Sequence, residues 1–313
     1  MKITILGCGV YGMALATSFL KNKVTLIMWN KFEKEIETLK ENYDSIQFTT
    51  NLEKAIQNTD LIVIAIPVAF LEETIKELKK YYKGEDILIA SKGIDTKNIS
   101  FAYEIIEKYL NNASIGVISG GTFAIDMMNQ KVMGLTLGTT SKNIQEKVKH
   151  SLESSFLKIQ YTNDIIGTSI CGAIKNVMAI GFGMLDGAGY PESSRFLFLT
   201  EAIYEIQNLI EKLNGNSKTI MSYAGINDIM MTCTSYKSRN YTLGKMIGEQ
   251  KTKEEIEEYK QNTTIEGLGT SKAIYELSKK KNIALPISQI IYEILYEEKT
   301  LNHLIKYLEK KET

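Results

Sequence analysis

The residue in this sequence best placed to move a proton is Lys175, set inside the apolar run Ile165 to Leu185. At helical spacing its neighbours on one side are Thr168, Cys171, Gly172, Met178, Ala179 and Phe182, none of them charged. Such a face belongs inside a protein. An ammonium there loses hydration, which weakens its hold on the proton and suits it to acid/base work near neutral pH. Two plainer roles compete. A membrane span is disfavoured by Lys175, Asn176 and the glycines in mid-run and by the missing basic flank. A structural ion pair with a buried carboxylate is the other.

A second cluster, Thr232-Cys233-Thr234-Ser235-Tyr236-Lys237-Ser238-Arg239-Asn240, combines hydroxyls, an amide and a guanidinium. Arginine presents a rigid fork of donors that matches phosphate oxygens, and the hydroxyl and amide groups can complete the cradle. The plainer reading is a polar turn that caps the next helix. A third pattern is Gly7-Cys8-Gly9-Val10-Tyr11-Gly12, with the apolar strand Lys2 to Leu6 before it and the helical run Met13 to Leu20 after it. Strand, G-x-G-x-x-G and helix in succession are what a dinucleotide pyrophosphate requires: a tight turn, close backbone approach and a helix N-terminus. A glycine turn serving only helix packing is the alternative.

These groups need elements to carry them. The second strand, Lys23 to Trp29, ends at Asn30-Lys31. A carboxylate at such a tip bonds ribose hydroxyls, whereas a basic residue accommodates a ribose phosphate, so Lys31 favours NADP(H) while NAD(H) stays possible. Glu33 and Glu35 already belong to the following helix. Asp60 to Ile66 reads as a fully buried parallel strand, Val68 to Tyr82 as a helix and Asp86 to Ala90 as a strand that delivers Ser91-Lys92-Gly93 to the ligand-binding edge. Ile115 to Ile118 leads into a second glycine loop, Ser119 to Ala124, and Val132 to Thr136 and Leu157 to Tyr161 flank a polar helix, Ser141 to Ser154. Beyond Asn163 helical periods dominate, with helices near Arg195 to Leu213, Thr252 to Glu258, Ser271 to Lys281, Ile287 to Tyr296 and Leu301 to Lys310. The pattern predicts an α/β fold: a doubly wound sheet domain, residues 1–162, and a C-terminal all-helical domain, residues 163–313. No linker separates the two, so an extensive interface holding the cofactor cleft is expected.

Composition narrows the partners. The 313 residues hold 37 basic and 37 acidic side chains, which gives no general affinity for nucleic acid or a membrane surface. Cys8, Cys171 and Cys233 are too few and too scattered for a disulfide framework or a metal cluster, so a reducing cytoplasm and no metal are expected. The start reads directly into a strand with no signal-peptide pattern. His150 and His303 fall in polar helical contexts and are expected on the surface, which disfavours a histidine-based dehydrogenase.

Together the segments resemble the bacterial-type NAD(P)-dependent sn-glycerol-3-phosphate dehydrogenases. The matches run in order over nearly the whole chain: Gly7 to Gly12, Ser91-Lys92-Gly93-Ile94, Ser119 to Ala124, Cys171 to Val177, Asp186-Gly187, Asp228, Thr232 to Ser235, Ser238-Arg239-Asn240 and Glu266-Gly267. The resemblance implies an N-terminal Rossmann-like domain and catalysis by Lys175, with Asp228 orienting it and Lys92 between substrate and cofactor. It implies glycerol phosphate contacts from Lys92, Gly120, Thr122, Lys175, Asp228, Ser238, Arg239 and Asn240. Cofactor contacts are implied for Gly7, Gly9, Val10, Tyr11, Gly12, Lys31, Lys92, Ala124, Arg239 and Glu266. The reaction so implied joins dihydroxyacetone phosphate and sn-glycerol 3-phosphate for glycerophospholipid synthesis, in a cytoplasmic enzyme that is commonly a homodimer.

The sequence also departs from that pattern. Gly121 stands for the usual proline, Ile125 for a common acidic residue and Glu201 for a frequent arginine; Asn227 interrupts the glycine before Asp228, and Asn42 to Thr50 is short. The departures bear on affinity and cofactor choice more than on chemistry. Two rival readings stay open: another two-domain NADP enzyme with a catalytic lysine, of the ketopantoate reductase or hydroxyacid dehydrogenase type, and a non-catalytic NADP-binding sensor.

Overall fold

The computed structural model describes residues 1–309, so Lys310, the last residue of the helix expected at Leu301 to Lys310, lies outside the described residues. The N-terminal portion is built on an eight-stranded sheet. In chain order the strands of the chain are β1 (Lys2–Leu6), β2 (Thr25–Trp29), β3 (Gln47–Thr49), β4 (Leu61–Ile64), β5 (Asp86–Ile89), β6 (Ile94–Asp95), β7 (Ser100–Phe101), β8 (Ile115–Ser119), β9 (Met133–Gly138) and β10 (Leu157–Thr162), of which β6 and β7 form a separate two-stranded sheet. Across the sheet the order is β10, β9, β8, β5, β4, β1, β2, β3. The order reverses at β1, which pairs in parallel with β2 on one side and β4 on the other. That reversal is where doubly wound sheets open a crevice for ligands. β8 and β9 pair antiparallel while β9 and β10 pair parallel, so the last two strands run against the rest.

The central strands bury both faces, as their β-branched runs predict. Ile3, Ile5, Leu61, Val63 and Leu88 enter one core, and Leu6, Ile62, Ile64, Ile87 and Ile89 the other. The helices that cover them are α1 (Val10–Leu20), α2 (Glu33–Asn42), α3 (Leu52–Ile56), α4 (Leu71–Leu78), α5 (Ala102–Tyr109), α6 (Ala124–Met128) and α7 (Lys142–Ser151). The helix expected over Val68 to Tyr82 is shorter than its apolar period suggests: a 3₁₀ turn occupies Val68–Phe70 and α4 ends at Leu78.

The remaining helices are α8 (Ile165–Gly187), α9 (Glu192–Lys212), α10 (Asp228–Thr234), α11 (Arg239–Gly248), α12 (Lys253–Asn262), α13 (Glu266–Lys281), α14 (Pro286–Tyr296) and α15 (Asn302–Glu309). Two compact units result: residues 1–92 with 100–169, and residues 93–99 with 170–309 of the described chain, the division falling inside α8. α8 is long and apolar enough to cross a membrane, yet 83% of its most apolar window is buried within the protein. The sequence predicted one buried face; residues 170–185 are buried all round. Such a helix must admit its neighbours closely, and glycines on both sides allow this. A Cβ at Gly183 would lie 2.2 Å from the Tyr241 carbonyl oxygen, and one at Gly244 would lie 2.0 Å from that of Ile180. α11 therefore lies backbone to backbone on α8, which fixes Arg239 and Asn240, its first two residues, relative to Lys175.

Candidate active site

In the first unit the glycine loop meets the demands of a pyrophosphate. Gly7 has φ +115°, and a Cβ there would press to 2.8 Å on the Ala65 carbonyl oxygen. Gly12 is equally constrained, 2.2 Å from the Gly7 carbonyl oxygen, whereas Gly9 faces open space. Gly9 is the N-cap of α1, and neither a side-chain cap nor a first-turn carboxylate occupies that helix end. Val10 is exposed and Tyr11 half-buried beside it.

Lys92 reaches the same region. Its Nζ donates to the Gly120 carbonyl at 3.2 Å and stands 5.6 Å from the centre of the Tyr11 ring. Around it, the buried hydroxyls of Tyr11, Ser119 and Thr122 have no hydrogen-bond partner in the protein. Buried hydroxyls are seldom left so, and three at one sheet edge mark a place for a polar ligand. Gly120 must be glycine because a Cβ would meet the Gly134 carbonyl oxygen at 2.5 Å. Ala124 opens α6. Lys31 lies two residues beyond β2, exposed, with its Nζ 2.7 Å from Glu73 Oε1. The free helix end, the glycine geometry and the orphaned hydroxyls fit a dinucleotide.

In the second unit Lys175 is 7% exposed and its Nζ donates to Asp228 Oδ1. Asp228 is fully buried at the first turn of α10, which the chain enters through a kinked segment, Tyr223–Asn227, whose Gly225 lies outside helical geometry. Thr232, one turn along α10, donates to the Asp228 carbonyl at 2.6 Å and to Oδ1 at 3.3 Å. The lysine is thus held by a carboxylate that is itself held. Cys233 next to it is buried; burial pushes its thiol well above the ordinary range, outweighing the opposite pull of the Lys175 charge. As a neutral side chain it adds no charge of its own to the pair.

The phosphate-cradle candidates divide. Arg239 is exposed at the start of α11, beyond the buried N-cap Ser238, whose Oγ accepts from the Tyr241 N–H at 3.3 Å. Asn240 instead spends its amide inward: Nδ2 donates to Asn176 Oδ1 at 3.0 Å, and Oδ1 accepts from the Gly267 N–H at 2.8 Å. Asn176 Nδ2 completes the chain by donating to Glu266 Oε2 at 3.1 Å. Sequence reasoning singled out Asn240 and Glu266 but gave no role to Asn176, which joins them, to Ser119 or to the Tyr11 hydroxyl as such; Thr232 it placed in the phosphate cradle, whereas the structure turns its hydroxyl to Asp228. Asn176 adjoins the lysine and Thr232 stands four residues after Asp228, so helical spacing carried a signal for both. Among the described residues no group of three metal-ligating side chains occurs.

Comparison with known proteins identifies the family. Residues 2–145 match the family described as NAD-dependent glycerol-3-phosphate dehydrogenase N-terminus and residues 164–306 the corresponding C-terminus. The chain belongs to the NAD-dependent glycerol-3-phosphate dehydrogenase family. A Staphylococcus epidermidis relative named glycerol-3-phosphate dehydrogenase (NAD(P)+) is 31% identical, the alignment covering 98% of this chain and 97% of the relative. A Staphylococcus haemolyticus relative of the same name is 28% identical over the same shares. The crystal structure of glycerol-3-phosphate dehydrogenase from Coxiella burnetii superposes with a TM-score of 0.92 at 24% identity, covering 99% of each chain. D-mandelate dehydrogenase, a hydroxyacid enzyme, superposes less well, with a TM-score of 0.62 at 16% identity over 95% of this chain and 98% of its own.

Proposed function

We propose that the protein reduces dihydroxyacetone phosphate reversibly to sn-glycerol 3-phosphate with NAD(P)H, with Lys175 as the acid/base. The observation that carries this reading is the buried Lys175 to Asp228 pair, its carboxylate one helical turn from Thr232 and its lysine on the helix against which α11, opened by Arg239, is packed. When bound, the nicotinamide ring supplies or accepts the hydride. In reduction, negative charge develops on the carbonyl oxygen, and the Lys175 ammonium stabilises that charge and delivers its proton there. In oxidation, neutral Lys175 takes the hydroxyl proton. Asp228 holds the amine in one direction, and Thr232 holds Asp228.

Arg239 binds the substrate phosphate through its guanidinium fork, with the amide of Asn240 holding α11 in place more than donating to the ligand. Gly120 and Thr122 supply backbone and hydroxyl contacts, and Lys92 adds a positive charge. Gly7, Gly9, Val10, Tyr11 and Gly12 seat the pyrophosphate, and Ala124 and Glu266 contact the cofactor. Lys31 favours NADP(H), with NAD(H) also accepted. The working halves are residues 1–162 for cofactor and 163–313 for substrate, in a cytoplasmic homodimer serving glycerophospholipid synthesis.

The test is a parallel assay of NADPH and NADH consumption with dihydroxyacetone phosphate and with a panel of 2-keto acids. Turnover confined to the triose phosphate is the expected outcome. Turnover of a keto acid alone, or nucleotide binding with no ketone reduced, would overturn the proposal.

A further inference from the structure

We propose that Glu73 is a cofactor-specificity residue: it serves Lys31 as an internal counter-ion and thereby restrains the preference of this site for an adenosine ribose that carries a phosphate. The inference rests on the reading of the first unit as the nicotinamide-cofactor module and concerns which form of the cofactor it takes.

The tip of β2 adjoins the glycine loop directly. Leu6 and Trp29 are register partners, and the Gly7 N–H donates to the Trp29 carbonyl at 2.9 Å. Cys8, inside the loop, is buried and pushed up to about 12 by that burial; the Glu35 charge adds to the rise, and a hydrogen bond with Asn30 opposes it. Asn30, at the tip, and Glu35, in the following helix, are therefore within reach of the loop. In a sheet of this order the adenosine ribose lies at that tip, and the charge there decides between a free hydroxyl and a phosphate.

Lys31 supplies the cation at this tip, and it is already engaged. Its Nζ lies 2.7 Å from Glu73 Oε1, and the hydrogen bond and charge of Glu73, with a further contribution from the Glu77 charge, hold its amine above the ordinary lysine range. Asn30 donates through Nδ2 to Glu35 Oε2 at 2.6 Å, so the other side chain at the tip also faces a carboxylate. The amine of Lys31 thus answers to two carboxylates, Glu73 and Glu77, while Asn30 beside it in sequence answers to a third, Glu35. A ribose phosphate must draw Lys31 away from Glu73 and tolerate these neighbours; a ribose bearing two hydroxyls needs neither. Lys31 and Glu73 are 54% and 71% exposed, so the pair opens readily in water. The result is a competition whose outcome shifts with the charge at residue 73, not an absolute block.

Trp29 reports on the site: it is the sole tryptophan and is buried at the end of the same strand. Its fluorescence is followed while adenosine 2′,5′-bisphosphate and adenosine 5′-monophosphate are titrated into wild type, Glu73→Gln and Lys31→Met. Glu73→Gln is expected to tighten the bisphosphate by about threefold to tenfold and leave the monophosphate within about twofold, with the gain shrinking in high salt. Lys31→Met is expected to weaken the bisphosphate selectively. Equal shifts for both nucleotides, or none in Glu73→Gln, would overturn the role of Glu73 even if dihydroxyacetone phosphate is still turned over. Failure of every protein to bind either nucleotide would overturn the cofactor reading itself and this inference with it.

Discussion

Replacing Lys175 by methionine keeps an unbranched side chain of similar length in the core of α8 and removes the ammonium. On the proposed mechanism the carbonyl oxygen then loses both its proton donor and its nearest positive charge. Loss of a positioned general acid reduces rates by about 10² to 10⁴, and the upper part of that range, about 10³ to 10⁴, is expected for a donor with so little solvent to replace it. That corresponds to about 4–5.5 kcal/mol of transition-state stabilisation. A second effect must be separated from the first. Asp228 is fully buried and would lose its ammonium partner while keeping the Thr232 hydroxyl 3.3 Å from Oδ1. Breaking a buried pair from one side costs about 3–5 kcal/mol of stability. Lys175→Met should therefore unfold at lower urea concentration, and the double variant Lys175→Met/Asp228→Asn should regain much of that loss while remaining equally inactive. Turnover is measured by nicotinamide oxidation with saturating dihydroxyacetone phosphate, and stability by urea denaturation of the same preparations. If Lys175→Met keeps turnover within about tenfold of wild type, its proton is not the one transferred and the reasoning fails.

Other perturbations probe separate parts of the argument. Arg239→Ala should raise KM for dihydroxyacetone phosphate by about tenfold to a hundredfold, the range of a lost charge-assisted hydrogen bond, and leave the poor reduction of dihydroxyacetone unchanged; equal losses on both substrates would contradict phosphate binding by Arg239. Gly244→Ala should destabilise the protein by about 3 kcal/mol or abolish soluble expression, because the added methyl meets the Ile180 carbonyl oxygen at 2.0 Å; an unchanged melting temperature would show that α8 and α11 are not so tightly apposed. Glu205, buried at the N-terminus of α14, accepts hydrogen bonds from the Ile287 and Ser288 N–H groups at 2.6 and 2.9 Å, yet burial pushes its carboxyl up to about 7. The native protein thus binds this proton more tightly than the unfolded chain. Its contribution is full below about pH 4.5 and is lost as pH rises through about 7, a change of about 3 kcal/mol. Glu205→Gln should flatten the stability profile across that window, and an unaltered slope would assign the pH dependence elsewhere.

How much of this was legible beforehand depended on the range of the interaction. The glycine loop, the strand ahead of it and the helix after it are consecutive residues, so their spacing announced both the turn and its ligand class. The buried strands were equally plain, because a β-branched run has few other uses. The reversal of β9 and β10 was not visible, since two strands carry the same alternation whichever way they run. Lys175 stood out because a charge in an apolar run violates the local pattern, but the pattern is silent on its partner, which only the family resemblance named. Asp228 lies 53 positions away, and only folding brings it to the amine.

The same limit governed the two ends of the ligand. The sequence placed a basic residue at the tip of β2 and an arginine and asparagine at the start of a polar segment. It did not show that Lys31 is paired with Glu73, 42 residues on, or that the amide of Asn240 is engaged by Asn176 and Gly267. Side-chain type and local period, which sequence alone records, determined the elements and the classes of chemistry they carry. Which charges are compensated, and which donors remain for a ligand, was decided by the tertiary structure, because Coulomb and hydrogen-bond energies depend on distances of a few ångströms that chain separation does not encode.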